Sequence, residues 1–368
     1  AMLASTVEQI KRHPLIRVHF NTTVREIKGF VGNYESILSD GANFKHGAIL
    51  VTTGASEYRP TEYGYGQSAT IVTQTEFSDR LAKGLAKQPK NIVMIQCVGS
   101  REDPRQYCSR VCCSKAIQNA IRVKELFPAV NVYVLYRDIR TYGYRELYYT
   151  EARDKGVFFI RFDLDHRPEI VFDGSSAGTK PTPTVVIKDT VLGQQLKIKA
   201  DYVVLSAGIV ADHEANDALA KQLKVPINQD GFFMEAHAKL RPVEFATDGV
   251  YVAGLAHSPK AVEESMTQAL AAASRACVLL TQKELNAHGT VSNVNPERCL
   301  ACGLCEKVCA FSAIGLELQR IGKEDRLLPK VNLALCKGCG ACAASCRCSA
   351  IILRGCTEEQ VIAEIIAL

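Results

Sequence analysis

The chain has 368 residues, fifteen cysteines, no tryptophan and a formal net charge of +5. That length accommodates two or three domains with cores of their own. No apolar run reaches the length of a membrane span and the start lacks a signal-peptide pattern, which points to a soluble, cytoplasmic protein; the positive charges are scattered rather than striped, so no nucleic-acid partner is inferred.

Taken in chain order, Val7 to Arg12 suits a helix, and RVHFNTTVREIKGF, YESILSD and FKHGAILVTTGA read as strands separated by turn residues. From Pro89 the pattern becomes β-α-β. NIVMIQCV is an apolar, β-branched run that suits a buried strand. A helix over Cys112 to Phe127, the strand NVYVLYRD, a helix over Glu146 to Lys155 and the strand VFFIRF follow. This is the rhythm of a doubly wound α/β sheet. PEIVFDG, PTVVIKDT and QQLKIKADYVVLSAGIV form a hairpin-rich stretch ending in another buried strand, and EANDALAKQL a helix. GVYVAGLAHSPKAVEESMTQALAAASRACVLL reads as strand, loop and long helix. TEEQVIAEIIAL closes the chain as a short amphipathic helix with Thr357 as N-cap.

Four cysteines fall within the β-α-β region. Cys97 closes its strand, and Cys108, Cys112 and Cys113 lie on the return loop and the first helical turn. Ligands in open α/β sheets bind at the carboxyl ends of strands, and a helix N-terminus favours anionic thiolates. From spacing alone an iron-sulfur cluster, a structural zinc and a redox-active thiol pair all stay open.

The C-terminal third repeats one pattern, C-x2-C-x2-C-x3-C, as CLACGLCEKVC from Cys299 to Cys309 and CKGCGACAASC from Cys336 to Cys346. In two-cluster ferredoxins the first three cysteines of a run bind one [4Fe-4S] cluster and the fourth reaches across to the other. Cys299, Cys302, Cys305 and Cys346 are therefore assigned to one cluster, and Cys336, Cys339, Cys342 and Cys309 to its neighbour. Zinc ribbons space their C-x2-C pairs more widely. The proline usual after the fourth cysteine is replaced by Ala310 and Arg347, neither of which is a ligand position. Cysteine usage of this kind fits a reducing, anaerobic cytoplasm better than disulfides. With three clusters of about −2 each, the net charge would fall to about −1.

CVGSREDPRQYCSRVCCSKAIQNA and LYRDIRTYGYRELYYTEARDKGVFFIRF, continuing through GVYVAGLAHSPKAVEESMTQALAAASRA and both cysteine runs, closely resemble the A subunit of heterodisulfide reductase. That resemblance implies a thioredoxin-reductase-like flavoprotein, here incomplete, followed by a bacterial-type two-cluster ferredoxin domain of α+β class. It implies a third [4Fe-4S] cluster on Cys97, Cys108, Cys112 and Cys113. It also implies FAD, met at the turn of Thr53, Gly54 and Ala55 and at the strand-to-helix turn of Gly254, Ala256, His257, Lys260, Ala261 and Val262. No G-x-G-x-x-G opens a β-α-β unit in this chain. The family carries that loop upstream, so the chain is expected to start inside the flavin domain, Ala1-Met2 reading as a cloning scar or the start of a split gene product. The β-α-β unit lies where related flavoenzymes bind a nicotinamide, but with cysteines lining its loop, NAD(P)H binding is not expected there.

The expected layout is a partial FAD-binding domain over 1–88, the four-cysteine β-α-β region over 89–200, a return to the FAD-binding domain over 201–290, the ferredoxin domain over 291–355 and a terminal helix over 356–368. The implied function is electron transfer with flavin-based bifurcation in a heterodisulfide-reductase-type complex, and no acid–base or nucleophilic catalytic residue is required. Implied partners are other reductase subunits, ferredoxin, a hydrogenase or formate dehydrogenase delivery subunit, and a second copy of the chain in a homodimer, the oligomeric state staying open. A quinone-interacting oxidoreductase subunit of sulfate reducers and a flavin-free multi-cluster adaptor are the alternatives. Cys277, Cys348 and Cys356 are left over and expected to be core or neutral thiols. The tyrosines of RTYGYRELYY are expected to pack rather than to react.

Overall fold

The strand Asn91–Val98 carries a nearly unbroken apolar run and is buried along almost its whole length, as a central parallel strand must be. The computed structural model describes residues 2–172, 182–190, 193–285, 289–322 and 324–367. Around that strand lie β1 (Ile71–Thr73), α1 (Gln74–Lys83), β2 (Asn91–Val98 itself), α2 (Cys112–Leu126), β3 (Asn131–Tyr136), β4 (Phe158–Arg161) and β5 (Tyr202–Ala207). The five strands run in the order β1-β5-β2-β3-β4, each neighbouring pair parallel. Phe77 of α1 and Ala116, Ile117 and Ala120 of α2 pack with Ile92 and Met94 on one face. On the other face Val93 and Ile95 meet Val185, Ile187 and Ile198 of an antiparallel sheet made by Glu169–Phe172, Pro183–Lys188 and Gln195–Lys199. From β2 the chain passes through α2 to β3 on one side, while β5 lies on the other. The carboxyl ends of β2 and β5 therefore bound a topological switch point.

The segments before and after this sheet join each other. Ile49–Val51 pairs in parallel with Val250–Val252. Tyr34, Val51, Leu223, Phe233, Phe245, Val250 and Val252 share one core. The helix α3 (Val262–Leu280) follows from that pair. The expected strand from Arg17 is shorter than its alternation suggested, beginning only at Val24. Residues 17–23 have no ladder partner and leave Val18 and Phe20 exposed. Strand propensity does not replace a paired neighbour that satisfies the backbone.

The C-terminal module is a hairpin, Ile314–Ile321 against Glu324–Val331, with a second antiparallel pair, Ser292–Val294 against Ile351–Leu353. Two short helices, Leu304–Val308 and Ala341–Ala344, carry the third cysteine of each run, Cys305 and Cys342. The module docks on the body where Lys337 pairs with Asp248 and Lys224 Nζ donates to Ser312 Oγ at 2.8 Å. Thr357 and Gln360 cap the terminal helix reciprocally. Asp173 and Gly174 of PEIVFDG and the final Leu368 lie outside the described residues. A doubly wound α/β body followed by a cysteine-rich α+β module is the class that the sequence predicted. Among the described residues no helix is long and apolar enough to cross a membrane.

Candidate functional site

The two cysteine runs cross in space. One small cavity is lined by Cys336, Cys339 and Cys342 of the second run together with Cys309 of the first, with Phe311 as part of its wall. Reciprocally, Cys299 packs in one group with Cys346 of the second run, and Cys299 and Cys302 both act electrostatically on Cys305. Backbone N–H groups point at these sulfurs. Ser292 donates to Cys336 at 3.4 Å, Ala301 to Cys299 at 3.4 Å, Ala313 to Cys309 at 3.2 Å and Ala350 to Cys346 at 3.3 Å. Donors of this kind orient a sulfur ligand. Cys302 and Cys339 are exposed, whereas Cys299, Cys305, Cys336 and Cys342 are buried. Among the described residues no three His, Cys, Asp or Glu side chains close on a single-ion position.

The third group is assembled by a slip in the sheet. Leu205 pairs with Ile95 but Ala207 pairs with Val98, so β2 carries one extra residue at Gln96 and Cys97. Cys97 takes a left-handed φ of 62° there. Ile92 and Met94 face the helices, Val93 and Ile95 face the opposite sheet, and Val98 rejoins that second set. The bulge therefore turns both Gln96 and Cys97 toward α2, whose first turn holds Cys112 and Cys113. The Cys112 thiol donates to the Ala207 carbonyl at 3.5 Å and that of Cys113 to the Asp138 carbonyl at 3.8 Å. Cys97 and Cys108 act electrostatically on both. Burial pushes the Cys113 thiol up to about 11 and the Cys97 and Cys112 thiols upward as well. Iron would have to displace these protons, which metal coordination does.

Two features of this site have no local signal in the sequence. Arg101 Nη1 lies 3.7 Å from Cys97 Sγ while its Nη2 bonds Asp138 at 2.5 Å. Gln96, only 1% exposed, has no hydrogen-bond partner for either amide atom. A buried orphan amide marks a place where a group that accepts or donates fits.

The two turns expected to meet a flavin lie at the ends of the parallel pair Ile49–Val51 and Val250–Val252. Gly54 and Gly254 both have left-handed φ, 79° and 71°, and a Cβ added at either would meet nothing within 4 Å. Both turns thus leave open space for a cofactor's approach. Thr53 Oγ1 is engaged with Asn216 Oδ1 at 3.1 Å, and Ala55 stands half-buried beside it. Ala256 and Ala261 are buried, whereas Val262 is 67% exposed. Lys260 is buried, its Nζ 2.7 Å from the Gly254 carbonyl and 3.2 Å from His257 Nδ1. Gln268 Oε1 accepts from the Gly254 N–H at 2.9 Å, which aims its Nε2 at His257 Nδ1, 3.0 Å away. With two donors at Nδ1, the imidazole proton sits on Nε2, facing Glu235 at 3.7 Å. Burial, then the Lys260 charge, holds His257 below its ordinary pKa.

A joint connects this turn to the cysteine loop. Arg110 donates to Glu264 at 2.5 Å and to the Tyr142 hydroxyl at 2.8 Å, and Arg145 pairs with Glu263. Tyr142 therefore serves the joint and Tyr149 meets Phe159 edge to face at 4.7 Å, but Tyr144 is 93% exposed and does not pack. Cys277 and Cys356 are exposed rather than core residues. Cys348 is half-buried, 3.6 Å from Cys346.

No family model matches the chain. It is similar, at 39% identity over 294 residues, to the A subunit of the H2/formate:CoB-CoM heterodisulfide,ferredoxin reductase of Methanococcus maripaludis, covering 75% of this chain and 43% of that protein. It is 36% identical over 306 residues to the iron-sulfur A subunit of the CoB–CoM heterodisulfide reductase of Methanocaldococcus jannaschii, covering 78% of this chain and 45% of that one. The chain spans less than half the length of these relatives. Among solved structures it resembles T. acidophilum thioredoxin reductase, with a TM-score of 0.48 and 18% identity over 76% of this chain and 79% of that one.

Proposed function

We propose, from the premise that this chain is homologous over three quarters of its length to the A subunits of heterodisulfide reductase, that it is an oxidoreductase component relaying single electrons through three [4Fe-4S] centres beside a flavin. The observation that carries this reading is the cavity in which Cys309 of the first run joins Cys336, Cys339 and Cys342 of the second, since that crossing is how twin runs hold paired clusters. Cys299, Cys302, Cys305 and Cys346 hold the neighbouring cluster, and Cys97, Cys108, Cys112 and Cys113 the third.

When bound, the clusters supply one-electron transfer and the flavin the exchange between paired and single electrons. The chain's own part is to hold, bury and bias them. Cys299, Cys305, Cys336 and Cys342 keep sulfur out of water, and the N–H donors of Ala301, Ala313 and Ala350 orient the sulfurs of Cys299, Cys309 and Cys346. Arg110 holds the loop of Cys108 against the helix that leaves the flavin turn, keeping the third centre close to that turn. Gly54 and Gly254 admit the cofactor, and Lys260 places a cation behind the Gly254 carbonyl. Bifurcation would divide electrons between ferredoxin and a partner protein that reduces a disulfide. The names of the relatives point to a hydrogenase or formate dehydrogenase as the donor.

Anaerobic purification of the full chain with iron, sulfide and flavin quantification tests this. About twelve irons per chain, with Cys112→Ser and Cys309→Ser each removing about four, are expected. Stoichiometric zinc without iron would sink the reading, and full iron without flavin would leave a multi-cluster electron adaptor.

A further inference from the structure

We propose that Cys348 is a fifth sulfur ligand at the site of Cys299, Cys302, Cys305 and Cys346, placed to take the iron corner that Cys346 holds. This rests on reading the twin runs as [4Fe-4S] sites. The two runs leave their last cysteine along matching paths, as Cys309-Ala310-Phe311-Ser312-Ala313-Ile314 and Cys346-Arg347-Cys348-Ser349-Ala350-Ile351. Ser312 and Ser349 share a left-handed φ, 50° and 48°. Ser312 N–H donates to the Cys309 carbonyl and Ser349 N–H to the Cys346 carbonyl, both at 3.1 Å. Ala313 and Ala350 donate to the sulfurs of Cys309 and Cys346 at 3.2 and 3.3 Å.

The duplication gives Cys348 the position that Phe311 has at the other site. Phe311 forms part of the wall of the cavity shared by Cys309, Cys336, Cys339 and Cys342. Cys348 therefore forms the corresponding wall at the first site, and there it packs in the same group as Cys299 and Cys346. A wall that is a phenyl ring at one site is a thiol at the other. The Cys348 and Cys346 sulfurs are 3.6 Å apart. Metal–thiolate bonds of about 2.3 Å let two sulfurs up to about 4.6 Å apart reach one metal position. In the exchange, the bond from iron to Cys346 breaks as one to Cys348 forms. The Cys348 thiol proton passes to the departing Cys346 thiolate, so charge and electron count are unchanged. The first site can thus keep its cluster without Cys346, while its counterpart, with Phe311 in that place, cannot keep one without Cys309.

The test uses the full chain, reconstituted anaerobically, with iron and sulfide counted and reduced samples followed by electron paramagnetic resonance. Cys346→Ser and Cys348→Ser should each retain the wild-type iron content, Cys346→Ser with an altered spectrum for one cluster. The Cys346→Ser/Cys348→Ser double variant should lose about four irons per chain, as should Cys309→Ser alone. Adding Phe311→Cys to Cys309→Ser should restore the lost iron, which separates ligand supply from a folding defect. Loss of about four irons from Cys346→Ser alone, equal to the double variant, would overturn the proposal while leaving the cluster reading intact. A wild-type chain that takes up no iron would overturn both.

Discussion

Arg110 donates from Nη2 to Oε1 of Glu264 at 2.5 Å across 154 residues of sequence. Arg110 follows Cys108 by two positions, its own N–H pointing at the Cys108 sulfur at 3.3 Å. Glu264 lies in the first turn of α3 and accepts the Ala261 N–H at 2.9 Å. One ion pair therefore fixes the loop of the third cysteine group to the turn between Val252 and α3. Both side chains are about a third exposed, so the pair adds only about 0–1 kcal/mol to global stability. Its value lies in geometry.

Arg110→Ala should accordingly leave thermal stability within about 1 kcal/mol but loosen the Cys108 corner. The expected sign is faster loss of about one cluster's iron, four atoms, to a chelator, the other iron leaving at the wild-type rate. Timed iron release under argon checks this, and unchanged release in all phases would show that Arg110 does not hold the loop.

Arg101 acts on the same centre from the other side. Its guanidinium reaches Cys97 Sγ at 3.7 Å and is itself held by Asp138, whose carboxyl is kept below the usual range first by that bond. A cation beside a cluster thiolate stabilises the more negative, reduced state. Arg101→Gln should lower the third cluster's midpoint potential by on the order of 20–60 mV, taking 59 mV per tenfold change for one electron. A redox titration followed by electron paramagnetic resonance reads this directly. A rise in potential would contradict the assignment of Cys97 as a ligand.

Gln96 gives a prediction that differs between the two states of the protein. Its buried amide finds no partner among protein atoms, at a cost of about 1–3 kcal/mol if nothing else satisfies it. The extra residue of the bulge lies at Gln96 and Cys97, so the sulfur atoms of a cluster bound beside Cys97 would be a partner for the amide. Gln96→Leu should stabilise the iron-free chain by about 1–2 kcal/mol yet give the loaded chain no such gain. Denaturation of both forms, compared between wild type and variant, settles it; an equal gain in both would mean that the amide never meets the cluster.

How far these sites could be read from sequence depends on the range of the interactions that form them. The twin runs are legible because each set of three cysteines is local, within seven positions from Cys299 to Cys305 or from Cys336 to Cys342. The crossing of Cys309 and Cys346 follows from the same spacing logic. The orientation of Cys97 is not legible, because strand alternation alone would place it with Ile95 on the opposite face. Only the pairing of β2 with β5 introduces the extra residue. The pairing of Cys348 with Phe311 across the two runs has no cysteine-spacing signal, since it is the fold's repeat that aligns them. Residues 17–23 failed in the other direction, having the alternation of a strand but no strand beside them.

Lys260 sets a pH dependence. Burial, then the Arg110 charge, holds its ammonium down to about 8 from 10.5. Because the folded-state value lies below the unfolded one, the unfolded chain binds more protons at this residue between about pH 8 and 10.5, and folding stability rises with pH across that window. Below about pH 8 both states are protonated and the full cost of burying the charge is carried. Lys260→Met removes this titration. The stability of wild type relative to Lys260→Met should therefore increase from pH 8 to pH 10.5 and stay flat between pH 6 and 7.5, as read from urea midpoints of the two proteins under identical buffers. A difference that falls with rising pH would mean that the ammonium is stabilised by its surroundings, with the Gly254 carbonyl and His257 outweighing the desolvation.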